Sequence, residues 1–320
     1  MSHRNARAGV VAATTARQRG VALITAILVV ALATVAAVSL AVHTQLDTRR
    51  TSNVLDNDQA YEYALGVETW ARIILARDAR DNRVDDLGEV WARRLPALPV
   101  TGGQVAGHIT DLQGLFNLNN LVVSGKPSAP DVAQFQRLLA IVGLQPQLVQ
   151  AVIDWIDPDV NVTFPDGAED EAYLLLPTPY RAANQPLVSV SSLRLVKGFD
   201  AKAVAALEPY VCALPGHTTI NVNTAPAPVL QSLADGLTQQ DAKALVNARG
   251  QDGFASVQDF LKQDPLAGRK VDAQGLSVAS HYFLVTSDAR VGNGRVLMYS
   301  KVERADNGQT RVLMRTRGAR

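Results

Sequence analysis

Seven carboxylates fall within 18 residues of this chain, in the phrase IDWIDPDVNVTFPDGAEDEAY: Asp154, Asp157, Asp159, Asp166, Glu169, Asp170 and Glu171. No lysine or arginine occurs between Arg137 and Arg181. Like charges this close repel unless something cationic sits among them. The donor set is all oxygen, without His or Cys, and Asp157-Pro158-Asp159 and Asp166-Gly167 are turn sequences. Oxygen ligands on an irregular backbone suit a hard cation, and calcium better than octahedral magnesium. The loop is not an EF-hand, because the D-x-[DN]-x-[DN]-G spacing with its terminal Glu is absent. The rival reading is a solvated acidic loop, and the flanking Trp155 and Tyr173, which read as buried, weigh against it.

Other chemistry has little support. His43, His108, His217 and His281 are isolated in sequence, and neither G-x-S-x-G nor HExxH occurs. Cys212 is the only cysteine, which excludes an intrachain disulfide and reads as a small buried residue rather than a nucleophile. Ser191-Ser192 reads as a helix start. The chain is therefore not expected to be an enzyme or to bind a small-molecule substrate.

The elements that must hold the acidic loop are helical. Val132 to Val142, a Gly143 turn and Leu148 to Ile156 lead into it. A similar unit recurs in VSVSSLRLVKGFDAKAVAALEPYV, and again after INVNTAPAPVL with Gly236, Asp241 to Arg249 and a third helix around Val257 to Leu261. Helix, glycine-bearing turn, helix is the outline of a helix-hairpin-helix unit, whose turn amides can face phosphates. The turns VGLQPQ, VKGFDA and ADGLTQQ carry one lysine among them, so a packing role is expected and nucleic acid is not.

On either side of this middle section the texture changes. Gln104 to Thr110 alternates weakly and reads as a strand after a turn-rich ALPVTGG; His281 to Val291, Arg295 to Arg304 and Thr310 to Thr316 read as an antiparallel meander. Asn293-Gly294 and Asn307-Gly308 are expected to supply the positive φ of the two hairpins. Strands on both sides imply that the middle is inserted into an α/β head. Upstream, Ala60, Ala64, Val67, Ala71 and Ile74 make one apolar stripe of a long helix, opposite Asp58, Glu62, Glu68 and Arg72, with Gly66 a site of kinking or close packing.

That helix begins in an anchor. Val21 to Val42 gives 22 uncharged, mostly apolar residues after Arg4, Arg7, Arg17 and Arg19, about 33 Å of helix and enough to cross a bilayer once. The basic side is expected to stay cytoplasmic, so residues from His43 onward face the other side. Removing residues 1–20 takes away four arginines and no acids, leaving 27 basic against 30 acidic side chains, a balance that disfavours nonspecific nucleic-acid binding. Gly20 between Arg19 and the apolar run resembles the junction of type IV prepilins. That resemblance implies cleavage after Gly20 by a prepilin peptidase, methylation of the new terminus at Val21, and an apolar helix retained in the mature protein. Most members of the class carry Glu at mature position five; here it is Thr25, which the resemblance associates with a subunit at the tip.

Taken together, RQRGVALITAILVVALAT, DLQGLFNLNNL, AVIDWIDPD, PDGAEDEAYL, PYRAANQPLVSVSSLRLVKG and INVNTAPAPVL resemble the K-type minor pseudopilins of the type II secretion system, over essentially the whole chain. The resemblance implies an α+β fold. A pilin-like helix, transmembrane and then amphipathic, packs on an antiparallel sheet that carries a large inserted all-α domain with helix-hairpin-helix-like units. The expected divisions are a leader 1–20, a transmembrane helix 21–42, helix and first strands 43–116, the insert 117–275 and closing strands 276–320. It further implies structural calcium held by Asp154, Asp157, Asp159, Asp166, Glu169 and Asp170, with Asn184 a neutral candidate. Expected partners are the I-type and J-type minor pseudopilins and, through the N-terminal helix, other pseudopilins. The place is an inner-membrane single pass with a periplasmic head, at the tip of a pseudopilus exporting folded proteins. The rival classes are a minor pilin of a type IV pilus and a membrane-anchored helix-hairpin-helix DNA-binding protein.

Overall fold

The computed structural model of this chain describes residues 15–318, in two units that meet between Asp56 and Asn57. Helix α1 spans Thr15–Asp81, so the expected leader, with Arg4 and Arg7, falls mostly outside the described residues. In the first unit every residue from Gly20 to Leu55 is exposed. The hydroxyls of Thr25 and Thr34 donate back to the carbonyls of Val21 and Val30 at 3.1 and 2.8 Å. Their polar atoms are thus satisfied inside the helix, as a hydrocarbon environment demands. This stretch is long and apolar enough to cross a membrane.

In the second unit α1 buries Ala60, Ala64, Glu68, Ala71 and Leu75, at steps of four, four, three and four. Small alanines let the helix lie close to the sheet. One expectation is corrected here. Ile74 packs half-buried against the core while Leu75 beside it is fully buried, and Glu68, placed with the charged face by its type, is only 2 % exposed. The cause is a partner from the sheet: Arg315 donates two hydrogen bonds to its carboxylate at 2.6 and 2.8 Å, and the Ser300 hydroxyl a third. Gly66 lies within the helix with nothing within 4 Å of where a Cβ would stand, so close packing does not occur there.

The head sheet has five antiparallel strands in chain order: β1 (Leu95–Val100), β2 (Gly103–Asp111), β3 (Tyr282–Val291), β4 (Gly294–Arg304) and β5 (Thr310–Arg317). The ALPV expected as part of a turn belongs to β1, and only Thr101-Gly102 turns. Gly294 pairs with Val291, so the β3–β4 hairpin turns on Gly292-Asn293, with the positive φ of 50° at Gly292, and not on Asn293-Gly294. Gly308, with φ 79°, serves the second hairpin as expected. Between the adjacent strands β2 and β3 the chain makes an excursion of 170 residues, yet its ends meet, the Leu112 amide donating to the Tyr282 carbonyl at 2.9 Å.

The excursion holds α2 (Ala129–Ile141), α3 (Leu148–Ile156), α4 (Asp170–Leu174), α5 (Ala201–Leu207), α6 (Ala227–Gln231), α7 (Gln239–Ala248) and α8 (Val257–Leu261) around one apolar core. Gly143, Gly198 and Gly236 sit at the turns before α3, α5 and α7 with φ of 79°, 86° and 71°, the left-handed region that glycine enters without penalty. The N-cap expected at Ser191-Ser192 is made by Ser189, whose side chain accepts from the Ser191 amide. The asparagines of FNLNNL and INVN are buried because their amides act as backbone brackets. Asn119 bonds both the Leu187 amide and carbonyl at 2.8 and 2.9 Å, and Asn223 bonds Phe254 the same way at 2.7 and 3.0 Å.

Candidate metal centre

The acidic loop is built from the end of α3 outward. Asp154 lies in the last turn of α3 and is fully buried. Its carboxylate accepts from the Thr163 amide at 3.1 Å and the Ala168 amide at 2.7 Å, folding the following loop back onto the helix. Gly167 passes so close that a Cβ there would stand 2.2 Å from Asp154 Oδ2 and 2.4 Å from the Thr163 carbonyl. Beneath the loop Tyr173 packs edge-on to Trp155 and stacks on Tyr180, both with centroids 5.3 Å apart. Asp157 caps the C-terminus of α3, and Glu169 is the N-cap residue of α4. Asn184 is held at φ 46° with its amide donating to the Asp159 carbonyl at 2.7 Å.

Four buried oxygens in this constellation have no hydrogen-bond partner among the described residues: Asp157 Oδ1, both carboxylate oxygens of Glu169 and Asn184 Oδ1. Burial, then Asp159 and Asp154, pushes the Asp157 carboxyl up to about 6. Burial, then the charges of Asp154, Asp157, Asp170 and Asp159, pushes Glu169 up to about 7. These mutual effects bring five of the expected residues together: Asp154, Asp157, Asp159, Glu169 and Asp170. Asp170 also accepts from the Ala182 amide at 3.0 Å. Asp166 is exposed, and it is not among the charges acting on Asp157 or Glu169. The nearby Lys197 donates its ammonium to the Gly167 carbonyl at 3.3 Å, so the one lysine of the glycine-bearing turns is spent inside the fold.

An oxygen-only set with unpartnered, desolvated acceptors fits a hard cation, because such atoms cost free energy until something positive coordinates them. A tighter carboxylate group lies in the head, where Asp78, Asp85 and Glu89 bring oxygens within 4.8 Å of one another. There the positive charge is already supplied. Arg304 donates to Asp78 at 2.7 Å and to Asp85 at 2.6 Å, and Glu89 accepts from Asn82 and Trp91 at 2.7 and 2.6 Å. The three carboxylates lie within twelve residues at the end of α1 and in the loop after it, but the arginine that pairs with Asp78 and Asp85 comes from β4, which sequence reading could not place beside them. Cys212 is buried as expected, and burial raises its thiol far above the ordinary range, so it offers no thiolate.

Two family models described as type II secretion system protein K match residues 114–216 and 220–279. Relatives of the same description include one from Pseudomonas aeruginosa, 40 % identical over 94 % of this chain and 93 % of its own length. Another, from Klebsiella pneumoniae, is 38 % identical over 90 % of this chain and 93 % of its own. Among solved structures, a chain of the GspK–GspI–GspJ complex of the enterotoxigenic Escherichia coli type 2 secretion system superposes with a TM-score of 0.75. It is 31 % identical, and the match covers 85 % of this chain and all of that one. With relatives up to 40 % identical over nine-tenths of its length and family models over residues 114–216 and 220–279, the chain belongs to the type II secretion system protein K family.

Proposed function

We propose that this chain is the minor pseudopilin that joins the I-type and J-type minor pseudopilins at the tip of a periplasmic pseudopilus. The observation that carries the reading is its likeness, over 85 % of its length, to a chain crystallised in a complex of those three proteins. Val21 to Val42 holds the subunit in the inner membrane with the head in the periplasm, after a prepilin peptidase cuts between Gly20 and Val21. Thr25 supports a terminal position, since its hydroxyl is turned onto the helix's own Val21 and Ala22 carbonyls and offers no carboxylate to a neighbour's terminal amine. Segment 117–275 acts as a folded cap, and its helix-hairpin-helix-like units serve packing rather than nucleic acid. The subunit's role is structural, not enzymatic.

In the same reading Asp157, Glu169 and Asn184 hold a structural calcium ion, with Asp159 and Asp170 beside them and Asp154 shaping the loop. The unpartnered oxygens support this. Calcium bound only by the folded state adds about 2.7 kcal/mol at a hundredfold excess over its Kd. Calcium should therefore raise the unfolding midpoint of the full chain in detergent by several degrees, magnesium should not, and Glu169→Gln should abolish most of the rise. An unchanged midpoint would overturn the calcium site. For assembly, the chain should co-purify with both minor pseudopilins of its own system, and recovery of neither would overturn the reading.

A further inference from the structure

The second unit leaves an apolar groove uncovered between α1 and the β1–β2 hairpin. Two contiguous hollows of about 190 and 380 Å³ share Val67, Trp70 and Gly107. Trp70, at the centre, is 42 % exposed, whereas Trp91 and Trp155 are 2 % and 4 % exposed. A large aromatic half out of water in the middle of an apolar groove is the kind of anchor that carries binding energy at interfaces. Along α1 the groove runs from Tyr63 to Ile74, about three helical turns. Glycine keeps it open: Gly66 has nothing within 4 Å of its Cβ position, and at Gly107 a Cβ would strike Val67 at 2.5 Å.

The occupant's form follows from the walls. The outer strand β1 carries Pro96 and Pro99, which lack an N–H, so a partner strand cannot add to that edge. What fits instead is a helix seating side chains at i, i+3, i+4 and i+7. Among the described residues the basic groups lining the two hollows are Arg93 and His108, Tyr63 adds a phenol, and no acid lines them. Among the described residues the Arg93 guanidinium donates to the Gly88 carbonyl alone, at 3.5 Å, the outer limit of a hydrogen bond. The walls therefore favour an apolar helix face bordered by a carboxylate.

We infer that this groove receives an amphipathic helix of a partner minor pseudopilin, its apolar face on Trp70 and an acidic side chain toward Arg93. This rests on the assembly reading above and assigns it a surface and a chemistry. The test uses the full chain in detergent, titrated with the I-type and J-type minor pseudopilins, with Trp70→Phe as the spectroscopic blank. Acrylamide quenching of the Trp70 emission should fall at least threefold on binding. Trp70→Glu and Arg93→Glu should each weaken binding about tenfold with unchanged unfolding midpoints, and Arg93→Lys should retain it. Partners that bind while Trp70 stays equally quenchable would overturn the groove and leave the assembly reading standing. Binding of neither partner by the unaltered chain would overturn both. Shielding of Trp70 by a second copy of this chain or by lipid vesicles alone, without a partner, would also overturn the inference.

Discussion

Asp111 is a buried carboxylate that forms no salt bridge among the described residues. It accepts from Ser280 Oγ and Thr224 Oγ1, both at 2.6 Å, from Asn221 Nδ2 at 3.1 Å and from the Gln113 amide at 2.8 Å. Burial outweighs these four donors and pushes its carboxyl up to about 6 from 3.8. The folded state therefore binds the proton more tightly than the unfolded chain, and stability falls as pH rises from about 4 to 6, by about 3 kcal/mol from this group. In Asp111→Asn that part of the slope should vanish, which chemical denaturation at pH 4, 5 and 6 would detect as a flatter profile than the parent's. The same residue-scale logic separates Asp154 from its neighbours. Seven acids were legible in the sequence, but which oxygens remain unpartnered depends on the Thr163 and Ala168 amides, which only the folded loop brings to Asp154.

At the scale of elements, α1 is clamped to the sheet by a charge pair set in the apolar stripe. Burial alone would raise the Glu68 carboxyl; hydrogen bonds from Arg315 and Ser300 overcome this and hold it below the usual range. Arg315→Met leaves a desolvated anion under the helix and should cost about 3 kcal/mol, the low end for breaking a buried pair because the Arg315 side chain is 44 % exposed. Adding Glu68→Leu should restore most of that loss, since an apolar replacement of both partners removes the orphaned charge. Urea titrations of the two variants decide it, and equal loss in both would deny the clamp. Helix and strand positions came from periodicity, whereas the burial of Glu68 could not, because its partner lies 247 residues away.

For the whole molecule, the decisive contact is where the excursion closes. The Leu112 amide meets the Tyr282 carbonyl, so the head sheet does not need a long connection to join β2 to β3. Replacing residues 117–275 by a short Gly/Ser loop should leave a head that unfolds cooperatively, because closing a short loop costs little. That head should lose the calcium response and fail to cap the tip in a secretion assay. A truncated chain that still responds to calcium, or still supports normal export, would contradict the division of labour proposed for the two parts.

The sequence by itself determined the elements whose causes are local. Hydropathy set the membrane-length run Val21–Val42, alternation set the three closing strands, glycines in the left-handed region set the turns at Gly143, Gly198 and Gly236, and the charge run located the acidic loop. The tertiary structure decided what depends on distant partners. It buried Glu68 beneath Arg315, moved the hairpin turn to Gly292 through the pairing of Gly294 with Val291, and made brackets of Asn119 and Asn223. It also left Asp157, Glu169 and Asn184 with unpartnered oxygens while spending the oxygens of Asp154 on its own loop. Local pattern fixes backbone conformation because it acts over a few residues. Burial and charge pairing are settled only when strands and helices far apart in the chain are brought into contact.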